Sequence, residues 1–131
     1  YNNDDLYFVD YQSGRLGPPQ YDLISFLYSG SIDITPEERS IIADYYYEEF
    51  NKSVHIDKEK FLESLDYFAL LRIIQVLGSY CFSYYDKNNI SVVNKIPTAI
   101  NNLKAIKLNN DLNKFRKIIL DRYSTRTSMH L

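Results

Sequence analysis

The sequence predicts a mainly α fold with one short strand, or half a hairpin, near its N-terminal end. At 131 residues the chain has the size of a single domain, and we expect residues 1–131 to form one. Its composition, 45% hydrophobic and 24% charged, is typical of soluble globular proteins. Apolar residues at helical spacing and helix start signals recur along most of the chain, which favours helices throughout.

The predicted strand lies at the start of the chain. Asn2–Asp5 are turn-forming residues, and Leu6–Val9 is a short apolar run with β-branched and aromatic side chains. This pattern favours a hairpin strand that ends at Asp10. Because the chain opens at Tyr1 with neither an initiator Met nor a leader peptide, we expect a piece of a longer protein, with the partner strand upstream.

A loop and two helices are predicted next. Gly14–Pro19 contains two glycines and two adjacent prolines, which favours an irregular loop over a helix. Tyr21–Tyr28 has the pattern of a short helix. Thr35–Glu38 combines a capping threonine, a proline at the first helical position and a glutamate that completes a capping box. This signal predicts a helix that runs to about Phe50.

The longest predicted helix covers Phe61–Phe82, with Asp57 as a candidate cap. Because it is apolar nearly all round, it is expected to lie at the centre of the fold. Its most hydrophobic stretch is interrupted by Arg72 and Gln75, so no membrane crossing is expected. Cys81, near the end of the helix, is expected to be a buried and inert thiol.

Two further helices are predicted in the last third of the chain. One covers about Val92–Lys107, with Pro97 either inside its first turns or marking its true start. The other covers about Asp111–Tyr123 and is amphipathic. The short polar segment Ser124–Leu131 is expected to be a frayed tail.

Charge and metal-ligand spacing exclude several function classes. The formal net charge of −2 does not favour binding to nucleic acid or anionic lipid. The locally basic stretch Lys104–Arg126 is interpreted as a solvated helix face. His55 and His130 lack zinc-ligand spacing. A single cysteine demands no oxidising compartment, so a cytoplasmic location is expected.

Asp10 is the first candidate for chemistry. A carboxylate at the end of a buried strand is well placed to hold Mg²⁺, which commonly takes one or two protein carboxylates together with phosphate oxygens and water. An aspartate at a strand end can equally cap a turn. Physical reasoning alone favours the capping role.

A resemblance to a known family changes that weighting. Phe8–Leu27, with Asp10-Tyr11-Gln12, a Gly-Pro loop and Tyr21-Asp22-Leu23, resembles the magnesium-binding segment of the aminoglycoside-phosphotransferase and choline-kinase-like family. Leu70–Tyr80 and Ile96–Leu103 are similar to later helices of bacterial members. The resemblance implies the helical C-terminal part of a protein-kinase-like large lobe.

The resemblance also implies roles for single residues. Asp10 would hold Mg²⁺, and Gln12 would reach metal-bound water or the catalytic loop, or simply orient the Gly-Pro loop. Asp22 would support the catalytic loop, although capping its own helix explains it equally well. Arg72 and Gln75, with Ser79, form one polar stripe on the central helix. That stripe is either a wall of the acceptor pocket or, the favoured interpretation, a network tying the helix to the Gly-Pro loop or to Asp22.

The implied reaction is ATP- and Mg²⁺-dependent transfer of the γ-phosphoryl group to a hydroxyl of a sugar, amino sugar or aminoglycoside-like acceptor. The catalytic base and the phosphate-binding lysine of such an enzyme are expected before Tyr1. The isolated chain is therefore expected to be inactive, to require no cofactor, and to self-associate through apolar surface at Leu6–Val9 and the central helix. Two alternatives remain: a non-catalytic helical binding or regulatory module, and a free-standing helical protein with coincidental similarity.

Overall fold

A computed structural model describes residues 17–29, 32 and 34–127. This part of the chain forms five α-helices and one 3-10 helix: α1 (Pro19–Leu27), α2 (Pro36–Asn51), α3 (Lys58–Lys87), the 3-10 helix (Ile90–Lys95), α4 (Ile96–Ala105) and α5 (Asn110–Thr127). The prediction of a mainly α fold is confirmed. The predicted strand at Leu6–Val9 lies outside the described residues.

Side-chain caps fix the first residues of α2 and α3. The hydroxyl of Thr35 accepts a hydrogen bond from the backbone N–H of Glu38 at 3.2 Å, and the Glu38 carboxylate accepts one from the backbone N–H of Thr35 at 2.8 Å. The Asp57 carboxylate accepts from the backbone N–H of Lys60 at 2.9 Å. These bonds satisfy N–H groups that have no partner inside the helix, so the predicted capping box and cap are confirmed.

The helix boundaries differ from the sequence prediction in several places. Helix α1 begins two residues earlier, with Pro19 in its first turn, where the missing N–H of proline does no harm. Helix α3 extends the predicted central helix at both ends. Pro97 lies in the first turn of α4, and the residues before it form the separate 3-10 helix. Helix α5 continues to Thr127, so the first four residues of the expected frayed tail are helical.

Helix α3 lies at the centre of the described fold and contacts α1, α2, the 3-10 helix and α4. Its buried side carries Phe61, Ala69, Leu70 and Ile73. The core is completed by Ile24 of α1, Ala43 and Tyr47 of α2, and Leu103 of α4. Alanine at position 69 leaves space for a neighbouring helix to approach closely, since this residue has no exposed surface.

A polar junction joins α1, α2 and α4. The Arg39 guanidinium of α2 donates from Nη2 to Oδ1 of the buried Asn102 at 2.8 Å. The same guanidinium stacks over the Tyr28 ring, 4.4 Å from its centroid. Burial raises the pKa of the Tyr28 hydroxyl, while the charge of Arg39 lowers it. One arginine therefore connects three helices at the edge of the core.

The second half of α3 corrects one sequence prediction. Cys81 is exposed, not buried, because the buried residues of α3 end at Ile73, about two turns before it. By length and composition α3 is also apolar enough to cross a membrane, although Arg72 and Gln75 interrupt it. Few residues of its apolar window are buried. Central helices of soluble proteins pass the same test, so length and composition alone are weak evidence for a membrane span.

Candidate functional site

The residues predicted to form the site divide into two groups. Asp10 and Gln12 lie outside the described residues, so their expected roles stay predictions. Asp22 lies in the first turn of α1, and Arg72 and Gln75 lie on α3. The described part of the site is therefore the contact between the start of α1 and the middle of α3.

The first turn of α1 is anchored by three hydrogen bonds from neighbouring helices. The Tyr46 hydroxyl of α2 donates to the carbonyl oxygen of Pro19 at 3.3 Å. Gln20 Nε2 donates to the hydroxyl of Ser64 on α3 at 3.2 Å. The Tyr21 hydroxyl donates to Oε1 of Gln75 at 2.8 Å. Pro19, Gln20 and Tyr21 therefore each form a hydrogen bond with a different residue of α2 or α3.

This anchoring differs from a helix cap, because none of the three bonds reaches a backbone N–H of the first turn. Pro18 occupies the N-cap position of α1 and provides no side-chain hydrogen bond to the first turn. Helix ends usually obtain such a bond from Ser, Thr, Asp or Asn at this position. Because the anchoring bonds come from α2 and α3, they fix the direction in which the chain enters α1 from Gly17.

Gln75 is the centre of the polar contact on α3. Its Oε1 accepts the hydrogen bond from Tyr21 and a second one from Nη1 of Arg72 at 3.0 Å. The Nε atom of Arg72 is buried and makes no hydrogen bond within the described residues. The network ties α3 to the Tyr21 side chain of α1, whereas the sequence interpretation placed the Gly-Pro loop or Asp22 at its other end.

Asp22 is exposed on the first turn of α1. A negative charge at this position is favourable because the N-terminus of a helix carries a partial positive charge. The charge of Asp22 also acts on Tyr46 of α2. Burial raises the pKa of the Tyr46 hydroxyl, and the negative charge of Asp22 raises this pKa further. An exposed carboxylate here is available to accept hydrogen bonds from groups that lie against this end of α1.

The sequence reasoning missed the three residues Gln20, Tyr21 and Tyr46. Their partners are 27 to 54 positions away along the chain, so spacing carries no signal for them. With 13 tyrosines in the chain, nothing in composition singles out these two hydroxyls.

The described residues form neither a kinase catalytic loop nor a metal-binding cluster. His55-Ile56-Asp57 has the first part of a kinase catalytic-loop pattern, His-Xaa-Asp-Xaa-Xaa-Xaa-Xaa-Asn, but Leu62 stands where asparagine is required. Asp57 is instead the cap of α3. Within residues 17–29, 32 and 34–127, no group of three or more His, Cys, Asp or Glu side chains is placed to hold a metal ion.

Comparison with known proteins finds a similarity for the N-terminal part of the chain. No curated protein and no solved structure matches the chain. Residues 1–58 match the ecdysteroid kinase-like family, and this segment contains Asp10, Gln12 and Asp22 together with α1 and α2. The narrower aminoglycoside-phosphotransferase or choline-kinase assignment stays a prediction. The match indicates a protein-kinase-like family of phosphotransferases.

Proposed function

We propose that this chain is part of an ATP- and Mg²⁺-dependent phosphotransferase that moves the γ-phosphoryl group of ATP to a hydroxyl of a small molecule. The observation that carries the proposal is the family match over residues 1–58, which covers the Asp-Tyr-Gln and Tyr-Asp-Leu segments. In the proposal, the phosphate-binding lysine and the catalytic base come from chain outside these 131 residues. The 131-residue chain by itself then transfers no phosphate.

Asp10 provides the metal-binding carboxylate in this proposal. Asp10 would hold Mg²⁺ there, and the ion would supply positive charge to offset the negative charge of the phosphoryl group. Asp22 acts as a positioning residue, because its exposed carboxylate can accept backbone N–H groups of a neighbouring catalytic loop. The bonds that anchor α1 support this role, since they fix Asp22 relative to α3.

Gln75 is the candidate contact to the acceptor. Its carbonyl oxygen is fully used by Tyr21 and Arg72, while its amide nitrogen makes no hydrogen bond within the described residues. An amide N–H on an exposed side chain can donate to an acceptor hydroxyl. A Gln75→Ala enzyme is then expected to show a raised KM for the acceptor with little change in kcat.

The acceptor is a hydroxyl compound of one of two kinds. The resemblance of the Asp-Tyr-Gln segment supports a sugar, an amino sugar or an aminoglycoside. The name of the matching family points to an ecdysteroid. A panel of sugars, amino sugars, aminoglycosides and ecdysteroids separates these possibilities. Only the class of compound that the enzyme phosphorylates should acquire label from ATP.

The decisive measurement is phosphoryl transfer from labelled ATP by the full-length protein that contains these residues, with and without Asp10→Ala. Loss of one metal contact is expected to lower the rate by about 10²-fold or more. Asp111→Ala, which removes an exposed carboxylate on α5, is the matched control and keeps full activity. No transfer and no Mg·ATP binding by the wild type would favour the second candidate, a non-catalytic helical binding or regulatory module.

A further inference from the structure

The Gln75 side chain is held in one orientation by two hydrogen-bond donors. Its Oε1 accepts from the Tyr21 hydroxyl at 2.8 Å and from Nη1 of Arg72 at 3.0 Å. A hydroxyl can donate or accept, so Tyr21 could equally receive a bond from an amide turned by a half rotation. A guanidinium has donors only. Arg72 therefore decides that the carbonyl oxygen of Gln75 faces these two residues and that the amide nitrogen points away from them.

Arg72 is well suited to fix this orientation. It lies three residues before Gln75, a spacing that places both side chains on the same side of α3. The Arg72 side chain is half-buried, and burial of its Nε atom leaves the guanidinium little freedom to turn. A guanidinium stays charged throughout the pH range of folded proteins, so its bond to Gln75 does not depend on pH.

The contact at Gln75 also carries a positive charge. None of the ion pairs in the described part of the chain includes Arg72. Burial, and then the charge of Asp22, raise the pKa of Tyr46, so the carboxylate of Asp22 lies near α2, whereas Gln75 is on α3. A group that approaches the exposed Gln75 from solvent therefore meets the N–H donors of its amide beside the charge of Arg72.

A surface of this kind selects the chemistry of its ligand. Hydroxyl, ether and carbonyl oxygens have lone pairs that accept a hydrogen bond from an amide N–H. An ammonium group has three donors and no acceptor, so it would place donors against donors and like charge against like charge. The Gln75 contact therefore fits an uncharged oxygen and disfavours an ammonium group.

We propose that Arg72 is a positioning residue that fixes Gln75 as a hydrogen-bond donor, and that the acceptor of the phosphoryl group presents an uncharged oxygen to this donor. The inference rests on the proposed phosphotransferase function and narrows its acceptor. Sugars without a free amino group, N-acetylated amino sugars and ecdysteroids are favoured, because they are neutral. Amino sugars and aminoglycosides with ammonium groups are disfavoured.

Gln75→Glu tests the contact in the full-length protein that contains these residues. Glutamate keeps oxygen acceptors for Tyr21 and Arg72, so the bonds between α1 and α3 remain, but a carboxylate replaces the amide donor. The neutral probes are glucose, N-acetylglucosamine and ecdysone; the cationic probes are glucosamine and kanamycin. We expect wild type to phosphorylate a neutral probe, and Gln75→Glu to raise its KM about tenfold or more with little change in kcat. Asn101→Asp, the same exchange at an exposed site on α4, is the control and leaves KM unchanged.

Arg72→Met tests the positioning role. Without the guanidinium, the Gln75 amide can turn and donate to the Tyr21 hydroxyl, which leaves a carbonyl oxygen as the outward group. The KM for the neutral probe should rise, and the discrimination against glucosamine should weaken. Arg72→Lys keeps a charged donor and should recover most of the wild-type selectivity. Arg122→Met, at an exposed site on α5, is the control and should keep both values.

The outcomes separate failure of this inference from failure of the proposed function. Transfer to a neutral probe, with KM raised in Gln75→Glu and not in Asn101→Asp, supports the inference. An active wild type that prefers glucosamine or kanamycin overturns it and leaves the phosphotransferase function standing. So does a Gln75→Glu enzyme with unchanged KM, and a lowered thermal midpoint in that enzyme would show that another part of the protein takes the amide donor. A wild type with no transfer to any probe and no Mg·ATP binding overturns the proposed function and this inference together.

Discussion

Arg116 belongs to α5 but completes the end of α4. Its Nη1 donates to the carbonyl oxygens of Leu103 at 3.4 Å, Lys104 at 3.2 Å and Ile106 at 2.7 Å. The last carbonyls of a helix have no partner within the helix, and a positive charge beside them is favourable. One side chain therefore both ends α4 and attaches α5 to the fold.

We expect Arg116→Ala to lower the free energy of unfolding by about 2 kcal/mol, because carbonyl groups lose a charged donor. Arg116→Lys should lie between wild type and alanine, since an ammonium group keeps the charge but not the planar donor geometry. Lys117→Ala is the control, because Lys117 is the next residue and is exposed. This variant should change the free energy of unfolding by less than about 0.5 kcal/mol. Equal urea midpoints for the two alanine variants would contradict this interpretation.

Asp66 gives the fold a pH dependence. Burial raises the pKa of its carboxyl above the ordinary 3.8, while the backbone N–H and the charge of Lys107 act in the opposite direction. A carboxyl whose pKa is raised by folding contributes stability below its ordinary pKa and loses that contribution as the pH rises through the folded value. The charged form of Asp66 thus makes the folded state less stable at neutral pH.

Asp66→Asn is expected to gain stability relative to wild type as the pH rises from 4 to 7, because asparagine keeps an acceptor for the Lys107 N–H and has no charge to bury. The measurement is urea unfolding of both proteins at unit steps of pH. A difference between them that stays constant, or that moves in favour of wild type with rising pH, would rule out this role for Asp66.

At the scale of the helix, the start of α2 is defined by the capping box of Thr35 and Glu38. Thr35→Ala is expected to destabilise the fold by about 1 kcal/mol, because the N–H of Glu38 loses its partner. Thr35→Ser keeps the hydroxyl and is the control. The hydrogen bond from the backbone N–H of Thr35 lowers the pKa of the Glu38 carboxyl. The stability that the ionised carboxylate contributes is therefore lost as the pH falls through this lowered pKa. Identical thermal midpoints for the alanine and serine variants would contradict the capping role.

At the scale of the whole molecule, the described helices share one core around α3. Leu103 of α4 has no exposed surface and lies in this core with Ile24 and Ile73. Leu103→Ala is expected to cost about 2–5 kcal/mol through the cavity it leaves. Because the core is shared, circular dichroism and tyrosine fluorescence should report a single coincident unfolding transition. Ile118→Ala, at an exposed site, is the control, and separate transitions by the two probes would show that the core is divided.

Local sequence patterns were sufficient to predict the helical class and the caps of α2 and α3. Thr35, Glu38 and Asp57 act on N–H groups three residues away or less, so their spacing is sufficient to predict the bonds they form. The kinase-like segment around Asp10 is likewise a continuous stretch of chain, and the family match covers it. Spacing also grouped Arg72 with Gln75 on one side of α3.

Which residues lie opposite these groups depends on how distant segments of the chain pack together. The bonds that anchor α1 join residues far apart in sequence, and the exposure of Cys81 depends on how far along α3 the buried residues extend. The apolar content of α3 predicted a central helix but did not say which side would be buried. Because α1, α2 and α4 pack on one side of α3, side chains on the other side, such as Leu71 and Tyr85, are exposed. Local chemistry fixes where a helix begins, whereas contacts between distant segments fix which way it faces.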